Sequence, residues 1–211
     1  MDIEISSDRK CARSLRQVQR VAYWPCLIVL AALPIAASPS ASAGRYEIDP
    51  RRTEVRFAYK MALSTQRGRF TKVSGTIDYN PAAPEKSKVK ASIVAASLTT
   101  GEAFVDSELK GVAFFNVEAS PVIAFKSVAV KSSSPTAADL AGEITINGIT
   151  KPVVFKVNLA PHDDPALKFD VGAQKFIAKT RIKRSAFNMT KFKALVDDDI
   201  ELEIDAIVRP R

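Results

Sequence analysis

The stretch Ala141–Leu159 reads AGEITINGITKPVVFKVNL. Two runs of β-formers, EITI and PVVFKVNL, flank the turn-rich NGITK. Asn147-Gly148 suits the positive-φ positions of a two-residue hairpin turn, so the stretch predicts two tightly joined antiparallel strands.

The same period of two runs outward from this hairpin, from Tyr46 to Val208. In TEVRFAYKM, Val55, Phe57, Tyr59 and Met61 point one way and Glu54, Arg56 and Lys60 the other. SGTIDYN, KVKASIVAAS, PVIAFKSVAV and KFIAKTRIKRS alternate in the same manner. In IELEIDAIV, Ile200, Leu202, Ile204, Ala206 and Val208 oppose Glu201, Glu203 and Asp205. About eight strands with polar outer faces and short links predict an all-β antiparallel sheet, closed or sandwiched. NPAAPEKS (80–87) and KSSSPTAADLAG (131–142) read as connectors. One segment breaks the period: Thr99–Phe115 places Phe104, Val105 and Leu109 at helical spacing behind Thr100 as a candidate N-cap. It predicts a short helix near Gly101–Lys110, ended by Gly111.

The first forty-odd residues have another character. Arg9, Lys10, Arg13, Arg16 and Arg20 precede the uncharged run from Val21 to Ala37, and SPSASA closes on Ala41-Ser42-Ala43. That order predicts a signal peptide over 1–43, cleaved after Ala43, and one periplasmic or secreted domain over 44–211. The apolar run is short for a membrane span and holds Pro25 and Pro34. An uncleaved anchor is the alternative, and it exports the same domain. Cys11 and Cys26 are the chain's two cysteines and both lie in this leader, so the exported part has neither disulfide nor thiol chemistry. Tyr-Trp-Pro before Cys26 lacks the small residues of a lipidation signal.

Beyond Ala43 stand 26 basic and 20 acidic residues, a net charge of +6. This mild excess suits transient contact with an anionic membrane surface. It is scattered singly along strands, without an aromatic-interleaved patch, and so argues against nucleic-acid binding. Catalytic equipment is sparse. His162, with Asp163 and Asp164, sits in a proline-flanked turn and falls short of the converging ligands of a metal site. Asp197-Asp198-Asp199 lacks the ligand spacing and mid-loop glycine of a calcium loop. No nucleophilic elbow or phosphate loop is present. The chain reads as a non-enzyme with no metal site and no cofactor.

What is plentiful is apolar inner face. Phe57, Tyr59, Ile93, Phe125, Val153, Phe155, Phe176 and Ile204 are the candidate lumen-lining residues. An eight-stranded barrel has an interior that side chains just fill, or that holds one small ligand. Periodicity leaves the two open: a lumen with a ligand, or a solid β-domain acting through a protein partner.

Several segments resemble the YceI-like family. They are LKGVAFFNVEASPVIAFKS (109–127), GEITINGITKPVVFKV (142–157), RYEIDPRRTEVRF, RGRFTKVSGTIDYNP, AASLTTGEAFVDSEL and RSAF (184–187), in consistent order from about Arg45 to Ile207. The resemblance implies a lipocalin-like, eight-stranded antiparallel β-barrel with a short helical insertion. It also implies a periplasmic carrier that binds a polyisoprenoid or other amphiphilic lipid in its lumen and has no enzymatic role. Dimerisation is left undecided. The chain departs from the family pattern where histidines are usual, with Arg52 or Thr53, Lys60 and Glu108 in their places. It departs again in NMTKF (188–192) and VDDD (196–199). From the polar Arg-Asp-x-His segment only Asp106 is kept.

Overall fold

The computed structural model describes residues 43–211. Residues 1–42, with Cys11 and Cys26, lie outside them, and with them all but Ala43 of the expected signal peptide over 1–43. Eleven strands form one antiparallel sheet that closes on itself. They are β1 (Gly44–Ile48), β2 (Glu54–Met61), β3 (Ser64–Phe70), β4 (Val73–Tyr79), β5 (Lys88–Val94), β6 (Leu98–Thr99), β7 (Val122–Ser134), β8 (Ala137–Ile146), β9 (Ile149–Leu159), β10 (Gln174–Lys183) and β11 (Val196–Pro210).

The eleven pieces make eight staves. β1 and β2 share one edge of β11, β1 against Val208–Pro210 and β2 against residues 196–205. β4 then pairs with β1 and β3 with β2. β5 pairs with β4 and β6 with β3. Three staves are therefore each broken once, and five run through. Successive staves are neighbours in space, and β11 closes the ring against the first stave. The breaks at 49–53, 71–72 and 95–97 lie side by side, at one height on the wall. Backbone bonds cross them: Asp49 N–H donates to Ile207 C=O at 2.8 Å, and Val94 N–H to Lys72 C=O at 3.0 Å. At the first break the buried Thr53 hydroxyl donates to Ile207 C=O at 3.3 Å and accepts from Ile207 N–H at 3.2 Å. It restores the ladder pairing the backbone gives up there.

Asn147 and Gly148 take φ of 52° and 72°, as the hairpin requires. Two expectations are corrected. The serine-rich stretch is not a loop: β7 continues to Ser134 and β8 starts at Ala137, leaving Pro135-Thr136 as the turn. A register shift between Ser127 and Ala129 resets the parity of β7, so its far half keeps a pairing partner. The helix α1 runs over Ala103–Lys110, and its N-cap is Glu102, without a side-chain cap bond, rather than Thr100. Asp106 instead reaches back from the first turn and accepts from Thr100 N–H at 2.6 Å and Thr100 O–H at 2.7 Å.

α1 and the residues after it pack across part of one end of the barrel and line the cavity there. Leu109 and Phe114 are buried, and the Phe115 ring lies edge-on to Phe70 at 5.5 Å. The loop over 160–174 wraps the outside at the opposite end. Leu167 and Ala173 cover the outward-facing Ile207, and Asp170 is gripped by Arg52 and by Arg209. The two acidic stretches make contacts within the protein, Asp197–Asp199 lying within β11. Asp164 accepts from Ala166 N–H and pairs with Lys175 at 3.0 Å. Asp198 accepts from the Ser185 N–H and O–H.

On the outer wall Arg56 donates to Glu54 at 2.6 Å, Asp205 at 2.7 Å and Glu203 at 2.9 Å. Its hydrogen bonds hold the carboxyls of Glu54 and Glu203 below the usual carboxylate range. Depressed carboxylate pKa values stabilise the fold above the unfolded value of about 4.3, and that stability is lost as pH falls through the folded value. Arg56→Gln should therefore cost under about 1 kcal/mol at neutral pH, because the network is half exposed. The difference from wild type, measured by thermal unfolding, should close below about pH 4.

Candidate functional site: an apolar lumen

Inside the barrel is a cavity of about 460 Å³ whose lining reaches both ends. Inner-face residues that an ordinary core would bury keep part of their surface accessible: Tyr59, Ile93, Phe125, Phe176, Ala178 and Ile204 are all intermediate. That accessibility is the structural mark of a lumen in place of a filled interior.

Seven of the eight candidate residues border this cavity. Phe57 lies over Gly68, where any Cβ would stand 2.3 Å from its ring, so glycine makes room for the aromatic wall. Phe125 and Phe155 meet edge to face at 5.3 Å, and Phe176 meets Tyr79 the same way at 5.4 Å. Gly142 leaves space for the Phe125 ring as Gly68 does for Phe57. Val153 is the exception. It is buried in the same core cluster as Phe155, Ile144 and Ile146, but unlike those three it does not border the cavity. Its strand parity is right; what differs is the height on the stave.

The wall is almost entirely carbon. Burial pushes the Tyr59 and Tyr79 phenols up from their ordinary pKa, as an apolar surrounding does. The two ends differ. At the end bearing the β7–β8 turn the rim includes Ser87, Ser132, Ser134 and Thr136. At the α1 end it includes Met61, Phe104 and Phe192. Phe104, at helical spacing with Val105 and Leu109, is 79% exposed and stands at this mouth.

Two charged residues also border the lumen, and both are engaged. Glu108 of α1 pairs with Lys191 at 2.7 Å, tying the helix to the loop over 188–195. Both partners lie in segments where the chain departs from the resembled pattern. Arg184 is 4% exposed, and its guanidinium donates to the carbonyls of Met189, Lys191, Val196 and Asp197 at 2.6–3.0 Å. It organises the loop that forms one side of the mouth, a role that RSAF alone does not announce. Asn188 and Phe192 within that loop have positive φ, 61° and 59°. Among the described residues no cluster of three or more His, Cys, Asp or Glu could hold a metal ion.

The family model for the YceI-like domain matches residues 46–208. The chain belongs to the YceI-like family. Among its relatives, a UPF0312 protein of Ectopseudomonas mendocina is 31% identical over 166 residues, covering 77% of this chain and 85% of that one. BcnA of Burkholderia cenocepacia superposes with a TM-score of 0.69 at 23% identity, over 76% of this chain and 98% of that one. A polyisoprenoid-binding domain from Saccharophagus degradans, implicated in plant cell wall breakdown, superposes at 0.59 with 12% identity, over 79% and 98%. At these identities the two superpositions speak for the fold, a YceI-like barrel, and leave the contents of the lumen to its own chemistry.

Proposed function

We propose that this YceI-like chain is an exported carrier or sink that holds a polyisoprenoid or similar amphiphilic lipid in its lumen. The observation that carries this reading is the apolar cavity of about 460 Å³ reaching from end to end of a closed barrel. Its volume is that of a small-molecule site. The relationship to a polyisoprenoid-binding domain favours a prenyl chain among apolar guests. A chain burying about 400 Å² would gain on the order of 10 kcal/mol. Association and ordering remove several of those. A bilayer solvates the same chain equally well, so loading is an exchange with the membrane and not an irreversible capture.

The charged groups bordering the lumen are occupied by structural partners, Glu108 by Lys191 and Arg184 by backbone carbonyls. The site is accordingly assigned to binding and not to turnover, and it calls for no cofactor. The signal-peptide pattern over 1–43 supports a periplasmic or secreted location.

Native mass spectrometry of the chain, isolated without detergent from a cell-envelope fraction, tests both parts. The expected spectrum carries an excess mass matching a prenyl lipid, on a polypeptide starting at or within a few residues of Gly44. A clean protein mass that persists after incubation with a long-chain polyprenol would overturn the carrier reading. An intact Met1 terminus in cytoplasmic material would overturn export.

A further inference from the structure

The α1 end of the barrel is apolar where it should be most polar. Leu63, at the tip of the β2–β3 hairpin, is fully exposed, and Met61, Phe104, Phe192 and Leu195 are exposed beside it. These residues form one rim. Ala62 N–H donates to Leu195 C=O at 2.8 Å, joining hairpin to loop. Lys191 of the loop pairs with Glu108 of α1, and Phe192 lies 6.3 Å from Phe114 beyond the helix. Phe192 keeps φ at 59°, a region costly for a bulky side chain. The fold accepts that conformation at a ring which is half exposed and borders the cavity.

Charge sharpens the picture. Lys60 and Arg67, diagonal neighbours on the outer face of the hairpin, and Lys193 in the loop are exposed and have no ion-pair partner among the described residues. On the α1 side Glu102 and Glu118 are exposed, while Glu108 is neutralised by Lys191. At the opposite end, Arg52, Arg209 and Lys175 are engaged by Asp170, Asp49 and Asp164. Lys131 and Lys168 are exposed there without an ion pair among the described residues, and Phe169 and Val171 are exposed on the outer loop. The cavity rim at that end, however, carries hydroxyls and not the apolar side chains of the α1 rim. Exposed apolar side chains flanked by free cations are the composition of an interfacial membrane contact.

We propose that this rim docks on an anionic lipid bilayer. Leu63, Leu195, Phe104 and Phe192 enter the headgroup layer, and the cavity mouth faces the acyl chains. The proposal rests on the lipid-carrier reading and gives it a direction: a chain passes between bilayer and lumen through the α1 end without crossing water.

The test uses the protein isolated from the cell envelope, starting at or within a few residues of Gly44, and vesicles of equimolar phosphatidylglycerol and brominated phosphatidylcholine. Tryptophan is introduced at either end, as Leu63→Trp or Phe169→Trp; Phe169 is an exposed residue at the opposite end. Residues 44–211 contain no tryptophan of their own, so each variant reports a single site. Leu63→Trp should be quenched and blue-shifted and Phe169→Trp should not. Adding Lys60→Gln, Arg67→Gln and Lys193→Gln to Leu63→Trp should weaken binding by on the order of a hundredfold, at about a fivefold loss per cation. Absent quenching of Leu63→Trp, or equal quenching of Phe169→Trp, overturns the proposal. So does a stable dimer, seen by light scattering, in which Leu63→Trp is shielded from vesicles, because the rim then serves a second copy. Uptake of a dansyl-labelled prenol in vesicle-free solution separates the two readings. Uptake without docking removes only the membrane face; docking without uptake removes only the carrier.

Discussion

Replacing Arg184 by leucine is expected to destabilise the barrel by about 3–5 kcal/mol, the largest effect of any single substitution considered. Arg184 is 4% exposed, and its guanidinium satisfies four backbone carbonyls, those of Met189 and Val196 in buried hydrogen bonds and those of Lys191 and Asp197 in part-buried ones. A buried polar group left unpaired costs about 1–3 kcal/mol, and partial relaxation of the loop keeps the total below the sum of four. Lysine should recover only a part, because one ammonium point cannot reach carbonyls placed around a planar fork. Urea unfolding should order the proteins as wild type, Arg184→Lys, Arg184→Leu. A leucine variant within about 1 kcal/mol of wild type would show that the loop is held by something else.

Filling the lumen is expected to separate binding from stability. Ala178 borders the cavity on β10 between Phe176 and Ile182, with part of its surface accessible. Ala178→Phe adds a ring to existing space, so stability should hold or rise by up to about 1 kcal/mol from the area buried. The ring occupies the path of any bound chain, and affinity for a prenol should fall by on the order of a hundredfold, since about 100 Å² of lost contact is worth roughly 2.5 kcal/mol. Val153→Phe is the matched control. It enlarges a side chain where the interior is already packed and should cost about 1–3 kcal/mol while the folded fraction still binds. Calorimetric unfolding together with prenol titration reads both quantities. If Ala178→Phe destabilises as Val153→Phe does and leaves binding unchanged, the interior at Ala178 is ordinary core.

Much of this architecture was legible because strand alternation and hairpin turns are local. Asn147-Gly148, the inward row Ile200–Val208 and the outward row Glu201–Asp205 follow from a period of two and from the backbone that Asn and Gly permit. Height and radius were not legible. Alternation says that Val153 and Phe155 share a face; it is silent on which stands beside the cavity, because that depends on side chains contributed by other staves. The serine stretch misled because composition marks it as a loop, whereas register across β8 extends it as strand. Helical spacing at Phe104, Val105 and Leu109 revealed α1 but is silent on exposure: Leu109 is buried and Phe104 stands at the mouth. Arg184 was visible only as a basic residue closing a strand. The four carbonyls that make it structural come from positions up to 13 residues later, brought back by a loop with two left-handed residues.

The three staves broken at one height have a mechanical consequence. Around most of the circumference, widening the barrel would require stretching backbone hydrogen bonds in series. Along the breaks at 49–53, 71–72 and 95–97 that hoop is notched, and the Thr53 hydroxyl and a few bridging amides carry the load in its place. The wall thus resembles a cuff with a seam more than a rigid pipe: five staves set its gauge, and one flank supplies its give. A guest of irregular girth, such as a methyl-studded chain, would be accommodated by elastic yielding of that flank.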